Sequence, residues 1–199
     1  MRCKTVLVLA SIGLFALTAS ASTTLQNLQA AFNGESNAHA RYLAFAQKAD
    51  TDGYPQAAAL FRAAARAEEV HAGNHAVVIK KLGGTPKANI DKADVKSTAE
   101  NLQAAIKGET YERDVMYPDF IKQARAEGNS DAIQTFNLAK AAEAEHARLY
   151  TYASNNTERM KKAGAKYYVC TICGMTVTKI DFEKCPACFS PKEKYVAIA

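Results

Sequence analysis

Apolar residues recur along most of this chain at steps of three and four, the spacing that lines one face of an α-helix. The first stripe runs through Leu25, Leu28, Phe32, Glu35, His39, Tyr42, Ala46 and Ala49, and the turn sequence Asp52-Gly53-Tyr54-Pro55 ends it. A second stripe passes Phe61, Ala64, Ala65, Glu68, His71, His75, Val78 and Leu82 before Gly83-Gly84-Thr85-Pro86 stops it. Residues to about Val95 then read as an irregular crossover. A third helix starts near Ser97, with Glu100 placed for a capping box, and turns Leu102, Ala105, Glu109, Glu112 and Met116 inward. After Glu127-Gly128-Asn129-Ser130, a fourth helix from Asp131 to about Met160 aligns Ile133, Phe136, Ala139, Glu143, His146, Tyr150 and Ala153. Short turns within each half and one long connection between the halves predict two antiparallel helical hairpins packed as a four-helix bundle.

The two halves repeat each other. Asn27-Leu28-Gln29-Ala30-Ala31 leads through Gly34 to Glu35, as Asn101-Leu102-Gln103-Ala104-Ala105 leads through Gly108 to Glu109. Each half then carries a Glu-x-x-His, Glu68 with His71 and Glu143 with His146. These acids share stripes with Phe32, Phe61, Leu102 and Phe136, so they point into the core, where an uncompensated carboxylate costs several kcal/mol. Bound cations remove that penalty. Counting from the turns, Glu35 lies 18 residues before Gly53, and Glu68 and His71 lie 15 and 18 after it. Around Gly128 the corresponding separations are 19, 15 and 18 for Glu109, Glu143 and His146. The ligands of both hairpins should therefore meet at one height in a dinuclear site, a ferritin-like arrangement. An oxygen-rich set with two imidazoles suits iron or manganese better than zinc or copper. A single Glu-x-x-His would more often be an exposed pair; two in register with two further buried acids are not.

Glu112 has no counterpart in the first half, where Ala38 stands, and offers a seventh ligand. The one extra residue between Glu109 and its turn, together with Pro118 inside the third helix, predicts a bulge or kink between Met116 and Phe120. His39 and His75 sit one turn from Glu35 and His71, but their repeat partners are Arg113 and Tyr150, which assigns them to packing or to support of ligands.

From Tyr167 the chain changes character. Cys170-Thr171-Ile172-Cys173-Gly174 and Cys185-Pro186-Ala187-Cys188 are two C-x2-C knuckles separated by 11 residues. Four thiolates so spaced hold one tetrahedral metal, zinc or a single iron, with two disulfides as the competing arrangement. Zinc would make this β-rich module structural, and iron would make it a one-electron relay.

The N-terminus adds a third unit. Met1-Arg2-Cys3-Lys4 is basic, Thr5 to Leu17 is largely apolar, and Ala19-Ser20-Ala21 is a small-residue cleavage site, the grammar of an export signal cut after Ala21. The expected organisation is a signal peptide over 1–21, a four-helix bundle over 22–162 and a four-cysteine domain over 163–199. Losing Arg2 and Lys4 lowers the formal charge from +5 to +3, too mild to suggest nucleic acid, and no membrane contact is expected after signal removal.

With both motifs in place the chain resembles a rubrerythrin, a ferritin-like di-iron bundle followed by a rubredoxin-like four-cysteine domain. The resemblance covers nearly everything after the signal and includes Gly34-Glu35-Ser36, Arg41-Tyr42, Gly108-Glu109-x-x-Glu112, Met116-Tyr117-Pro118-Asp119-Phe120, both Glu-x-x-His pairs and the knuckles. It implies that Glu35, Glu68, His71, Glu109, Glu112, Glu143 and His146 are the di-iron ligands, with Glu112 or His71 engaging according to oxidation state. It makes Tyr42 and Tyr117 hydrogen-bond partners of ligand carboxylates, and Cys170, Cys173, Cys185 and Cys188 the ligands of a third iron, or of zinc. It further implies a peroxidase that reduces hydrogen peroxide to water and protects against oxidative stress, often as a head-to-tail homodimer. The module departs from the pattern in lacking tryptophan and in carrying Phe189 after its last cysteine. Family members are usually cytoplasmic, so an exported copy, expected in the periplasm, needs a different electron donor, for which a cytochrome is a candidate. A ferroxidase or iron-handling bundle, and a non-catalytic metal-binding protein with structural zinc, are the competing readings.

Overall fold

The computed structural model describes residues 23–162 and 164–199, so the expected signal segment, residues 1–21, lies outside the described residues. Its first helix, α1 (Thr24–Thr51), opens with a capping box in which Thr23 accepts from the Gln26 backbone and Gln26 answers to Thr23. α2 (Pro55–Lys81) starts on a proline, whose missing N–H is no loss in a first turn. Gly53 joins the two at φ +80°, a left-handed conformation that a side chain would strain. Half of the buried residues of α2 are alanines, and Ala57, Ala58, Ala63, Ala64 and Ala67 are fully buried.

Residues 82–97 form the crossover. α3 (Thr98–Tyr111) begins with the expected Ser97–Glu100 capping box. A π-helical segment, Glu112–Met116, follows and leads into α4 (Tyr117–Ala126). The irregularity foreseen at Met116 to Phe120 thus sits one turn earlier. Pro118 needs no bond from its nitrogen in the opening turn of α4, and the extra residue is absorbed upstream, where Tyr117 N–H reaches the Glu112 carbonyl. α5 (Ser130–Asn155) completes the bundle, and a break at Asn156 separates it from the short α6 (Thr157–Met160), where the sequence predicts one continuous helix.

The remainder is a three-stranded antiparallel sheet in the order β2-β1-β3, made by β1 (Tyr167–Cys170), β2 (Thr176–Val177) and β3 (Tyr195–Ile198). Val169 pairs with Thr176 on one side and Val196 on the other. This sheet is not a detached appendage. Tyr167 and Val169 bury themselves in the same core as Phe61, Tyr150 and Met160, Arg62 donates to the Ala199 carbonyl at 2.7 Å, and Asn74 to that of Ile172 at 2.9 Å. The expected boundary at 162/163 falls in the short link between α6 and β1.

The bundle has two apolar plugs. One gathers Tyr42, Phe45, Phe61, Leu102 and Tyr150; the other gathers Leu28, Ile79, Tyr117, Ile121 and Phe136. Along their helices, Glu35, Glu68, His71, Glu109, Glu143 and His146 fall between members of the two plugs.

Candidate dinuclear metal centre

Glu35 from α1, Glu68 and His71 from α2, Glu109 from α3, and Glu143 and His146 from α5 converge at the middle of the bundle, each 0 or 1% exposed. Their ligand atoms form two quartets, Glu35-Glu68-His71-Glu143 and Glu68-Glu109-Glu143-His146, within which all atoms lie within 4.8 Å of one another. Glu68 and Glu143 belong to both quartets and could be shared between two cations, whereas Glu35 and Glu109 belong to one each. His71 Nδ1 stands 2.8 Å from Glu68 and 3.0 Å from Glu143. His146 Nδ1 stands 2.8 Å from Glu143, 3.5 Å from Glu68 and 3.6 Å from Glu109. Glu112, on the π segment, is half-buried and stands outside both quartets, although its charge acts on Glu35.

The fit to metal rests on what these groups lack. Glu35 Oε2, Glu68 Oε1, Glu109 Oε2, both oxygens of Glu143 and His146 Nδ1 are buried without a hydrogen-bond partner. So many orphaned acceptors facing one another are a liability in a core unless cations hold them. The electrostatics agree. Burial and the neighbouring Glu112, Glu68 and Glu143 push Glu35 well above the usual carboxylate range, and burial with Glu68 and Glu143 pushes Glu109 up to about 8. Glu68 goes the other way, because its contacts with His146 and His71 outweigh its burial. Both histidines are raised, burial being overcome by Glu143 and Glu68 at His71 and by Glu109, Glu143 and Glu68 at His146. Protons substitute here for cations.

Around this centre the remaining polar groups act as supports. Tyr42 donates to Glu109 Oε1 at 2.5 Å, and Tyr117 donates to Glu35. His75 holds its Nε2 3.1 Å from the Tyr117 hydroxyl and its Nδ1 3.0 Å from Thr135 Oγ1, and His39 Nδ1 contacts the Ala65 carbonyl at 2.7 Å. The far nitrogens of the two central histidines meet the cysteine module. His71 Nε2 lies 3.1 Å from the Cys173 carbonyl, and His146 Nε2 lies 3.0 Å from Thr176 Oγ1. Gly174 is packed so closely that a Cβ there would fall 2.2 Å from His71 Nε2.

The four cysteines form one cluster, with Cys170, Cys173 and Cys185 fully buried and Cys188 half-buried. Cys170 and Cys188 sulfurs are 3.7 Å apart and those of Cys173 and Cys185 3.6 Å, too far for disulfides and right for edges of a thiolate tetrahedron. The hydrogen bond from Cys173 draws the Cys170 thiol down to about 5. Both knuckles need a left-handed residue after the second cysteine. Gly174 supplies it at φ +77°, while Phe189 adopts +59° with its ring 71% exposed.

Sequence periodicity brought the central acids and histidines to notice; it passed over Thr135 and Thr176. Neither stands in a motif, and each acquires its contact only when elements far apart in the chain pack together.

A four-helix bundle with a carboxylate–histidine dinuclear centre, closed on one side by a four-thiolate module, places this chain among ferritin-like dimetal proteins with a rubredoxin-like appendage. The sequence pattern of the rubrerythrin family matches residues 26–154. Over 176 residues the chain is 43% identical to nigerythrin of Nitratidesulfovibrio vulgaris, covering 88% of this chain and 86% of that one. It is 35% identical over 182 residues to rubrerythrin-2 of Clostridium acetobutylicum, covering 87% and 96%. The structure of fully reduced, all-ferrous nigerythrin superposes with a TM-score of 0.82 at 40% identity over 92% of this chain and 91% of that one. The chain belongs to the rubrerythrin family.

Proposed function

We propose that the protein is an oxidoreductase that reduces hydrogen peroxide to water at a di-iron centre, fed by electrons through iron in the four-cysteine module. The observation that carries this reading is the contact of the module's Cys173 carbonyl with His71, which puts a thiolate site one hydrogen bond from the centre's imidazole. Iron bound by the six converging side chains would supply the two electrons that O–O cleavage requires. Nigerythrin, the relative described as ferrous, supports that choice of metal.

The chain's own groups meet the remaining needs. Turning one peroxide into two waters consumes two protons along with the two electrons. Thr135, 7% exposed, lines a surface groove of about 250 Å³ with Asn74 and Gln134. From there its hydroxyl donates to His75 Nδ1, His75 Nε2–H donates to Tyr117, and Tyr117 donates to Glu35. That sequence is a proton path from the groove to the Glu35 carboxylate. The apolar plugs keep bulk water from the two ends, and Glu112, the one half-buried member of the seven acids and histidines, marks the side on which a small substrate enters. The reading includes export by residues 1–21, a donor protein at the thiolate site and assembly as a homodimer.

Rapid mixing of the ferrous protein with peroxide and, separately, with oxygen tests it. Oxidation by peroxide should be the faster, and the thiolate-iron colour should return afterwards. Equal or faster oxidation by oxygen with ferric mineral accumulating would make the protein a ferroxidase, and a colourless zinc module without peroxide consumption would make it non-catalytic.

A further inference from the structure

Thr176 is fully buried on β2, and its hydroxyl makes two contacts of fixed direction. It donates to the Gly174 carbonyl at 3.0 Å, an atom that can only accept. With its proton committed there, Thr176 Oγ1 faces His146 Nε2 at 3.0 Å as an acceptor, so the imidazole must carry its proton on Nε2. In the neutral ring that a metal requires, the other nitrogen, Nδ1, is then the one left with a lone pair, and Nδ1 is the atom that points at Glu143, Glu68 and Glu109. A β-branched side chain in a strand has little rotamer freedom, so the hydroxyl is held where it stands.

We propose that Thr176 is a positioning residue for the dinuclear centre, fixing the tautomer and ring angle of His146 from the cysteine module. The proposal rests on the metal-centre reading above and adds to it the origin of this control. His71 is held in the parallel way, but by the carbonyl of Cys173, a backbone atom present whatever the side chain. Thr176 is therefore the one of the two contacts that a single substitution removes. It also ties the two metal sites together, since Thr176, Gly174 and Cys173 lie within four residues and the last is a knuckle cysteine.

Outer hydrogen bonds to ligating histidines are worth about 10- to 100-fold in metal affinity. Thr176→Val keeps the shape of the side chain and deletes the hydroxyl, removing the acceptor that faces His146 together with the bond to the Gly174 carbonyl, while Thr176→Ser restores both. In the full chain with its cysteine site loaded, ferrous titration of the bundle should show Thr176→Val weakened by about 10-fold or more, with Thr176→Ser recovering most of the loss and the module's visible absorption unchanged. A Val variant that binds ferrous ion as the parent does overturns the proposal. Failure of the parent chain itself to bind ferrous ion in the bundle is a separate result and would sink the functional reading instead. Should the Val variant not load its cysteine site, nitrogen NMR of the zinc-loaded parent decides. A proton on His146 Nε2 in contact with the Thr176 methyl is expected, and a proton on Nδ1 overturns the assignment.

Discussion

His75 stands one turn beyond His71 on α2 and is fully buried, yet it does not join the metal-binding quartets, because Thr135 and Tyr117 occupy both of its ring nitrogens. Burial, with the charge of His71 beside it, drops its pKa to about 3. It therefore stays neutral at any pH where the protein works, with one nitrogen able to accept a proton while the other gives one up. Replacing it with phenylalanine, which fits an apolar wall shared with Phe136, severs the path to Tyr117. Peroxide turnover in His75→Phe should fall by about 100-fold, the usual scale of a lost proton-transfer group, with ferrous binding retained. An unchanged steady-state rate would remove the path from the mechanism. At this scale the sequence was informative about residue type and silent about orientation. The placement of His75 as a supporting residue followed from its repeat partner Tyr150, but its partners Thr135 and Tyr117 come from α5 and α4 and cannot be read from α2 alone.

Among the elements, the third rod of the bundle shows most clearly how function bends secondary structure. Glu109 and Tyr117 must both face the centre, yet at about 100° per residue eight helical steps would leave them some 80° apart. The π segment between them absorbs one residue and brings both inward. The residue surplus was visible in the comparison of the two halves, but its place was not, since Pro118 drew attention to the wrong turn. A second junction holds the hairpins together. Asp52, at the end of α1, accepts from the backbone and hydroxyl of Thr98 at 3.0 and 2.7 Å and pairs with Lys48 at 2.6 Å, capping α3 across the crossover. The Lys48 and Thr98 hydrogen bonds hold its carboxyl down to about 2. A depressed acid stabilises the fold above its ordinary pKa and loses that contribution as pH falls through the shifted value. The wild-type melting temperature should therefore drop between about pH 4 and pH 2 more steeply than that of Asp52→Asn, which should melt lower at neutral pH. Superimposable melting curves of the two proteins at pH 6 would show the cap to be dispensable.

For the whole molecule, the central carboxylates make stability depend on metal and pH together. Without metal, Glu35 and Glu109 are raised, and a raised acid favours folding below its ordinary pKa and loses that contribution as pH climbs to the shifted value, about 8 for Glu109. Raised His71 and His146 lose theirs in the same direction. Metal-stripped protein should thus melt progressively lower from about pH 5 to pH 8, while the loaded protein stays nearly level, as calorimetry of both forms would read. A stripped protein that gains stability across that range would contradict the buried-carboxylate account. Taken alone, the sequence determined four amphipathic rods, their pairing into two hairpins, the height at which six acids and histidines meet, and the cysteine knuckles, because a helix of known rise and period turns spacing into position. Tertiary packing alone decided that Glu112 stands apart from the quartets, that the thiolate module seats on α2 and α5 instead of trailing free, and that Gly174, Cys173 and Thr176 close over the two histidines. These are contacts between surfaces that no local periodicity encodes, and they exist because the apolar strand face of Tyr167 and Val169 had a bundle core to enter.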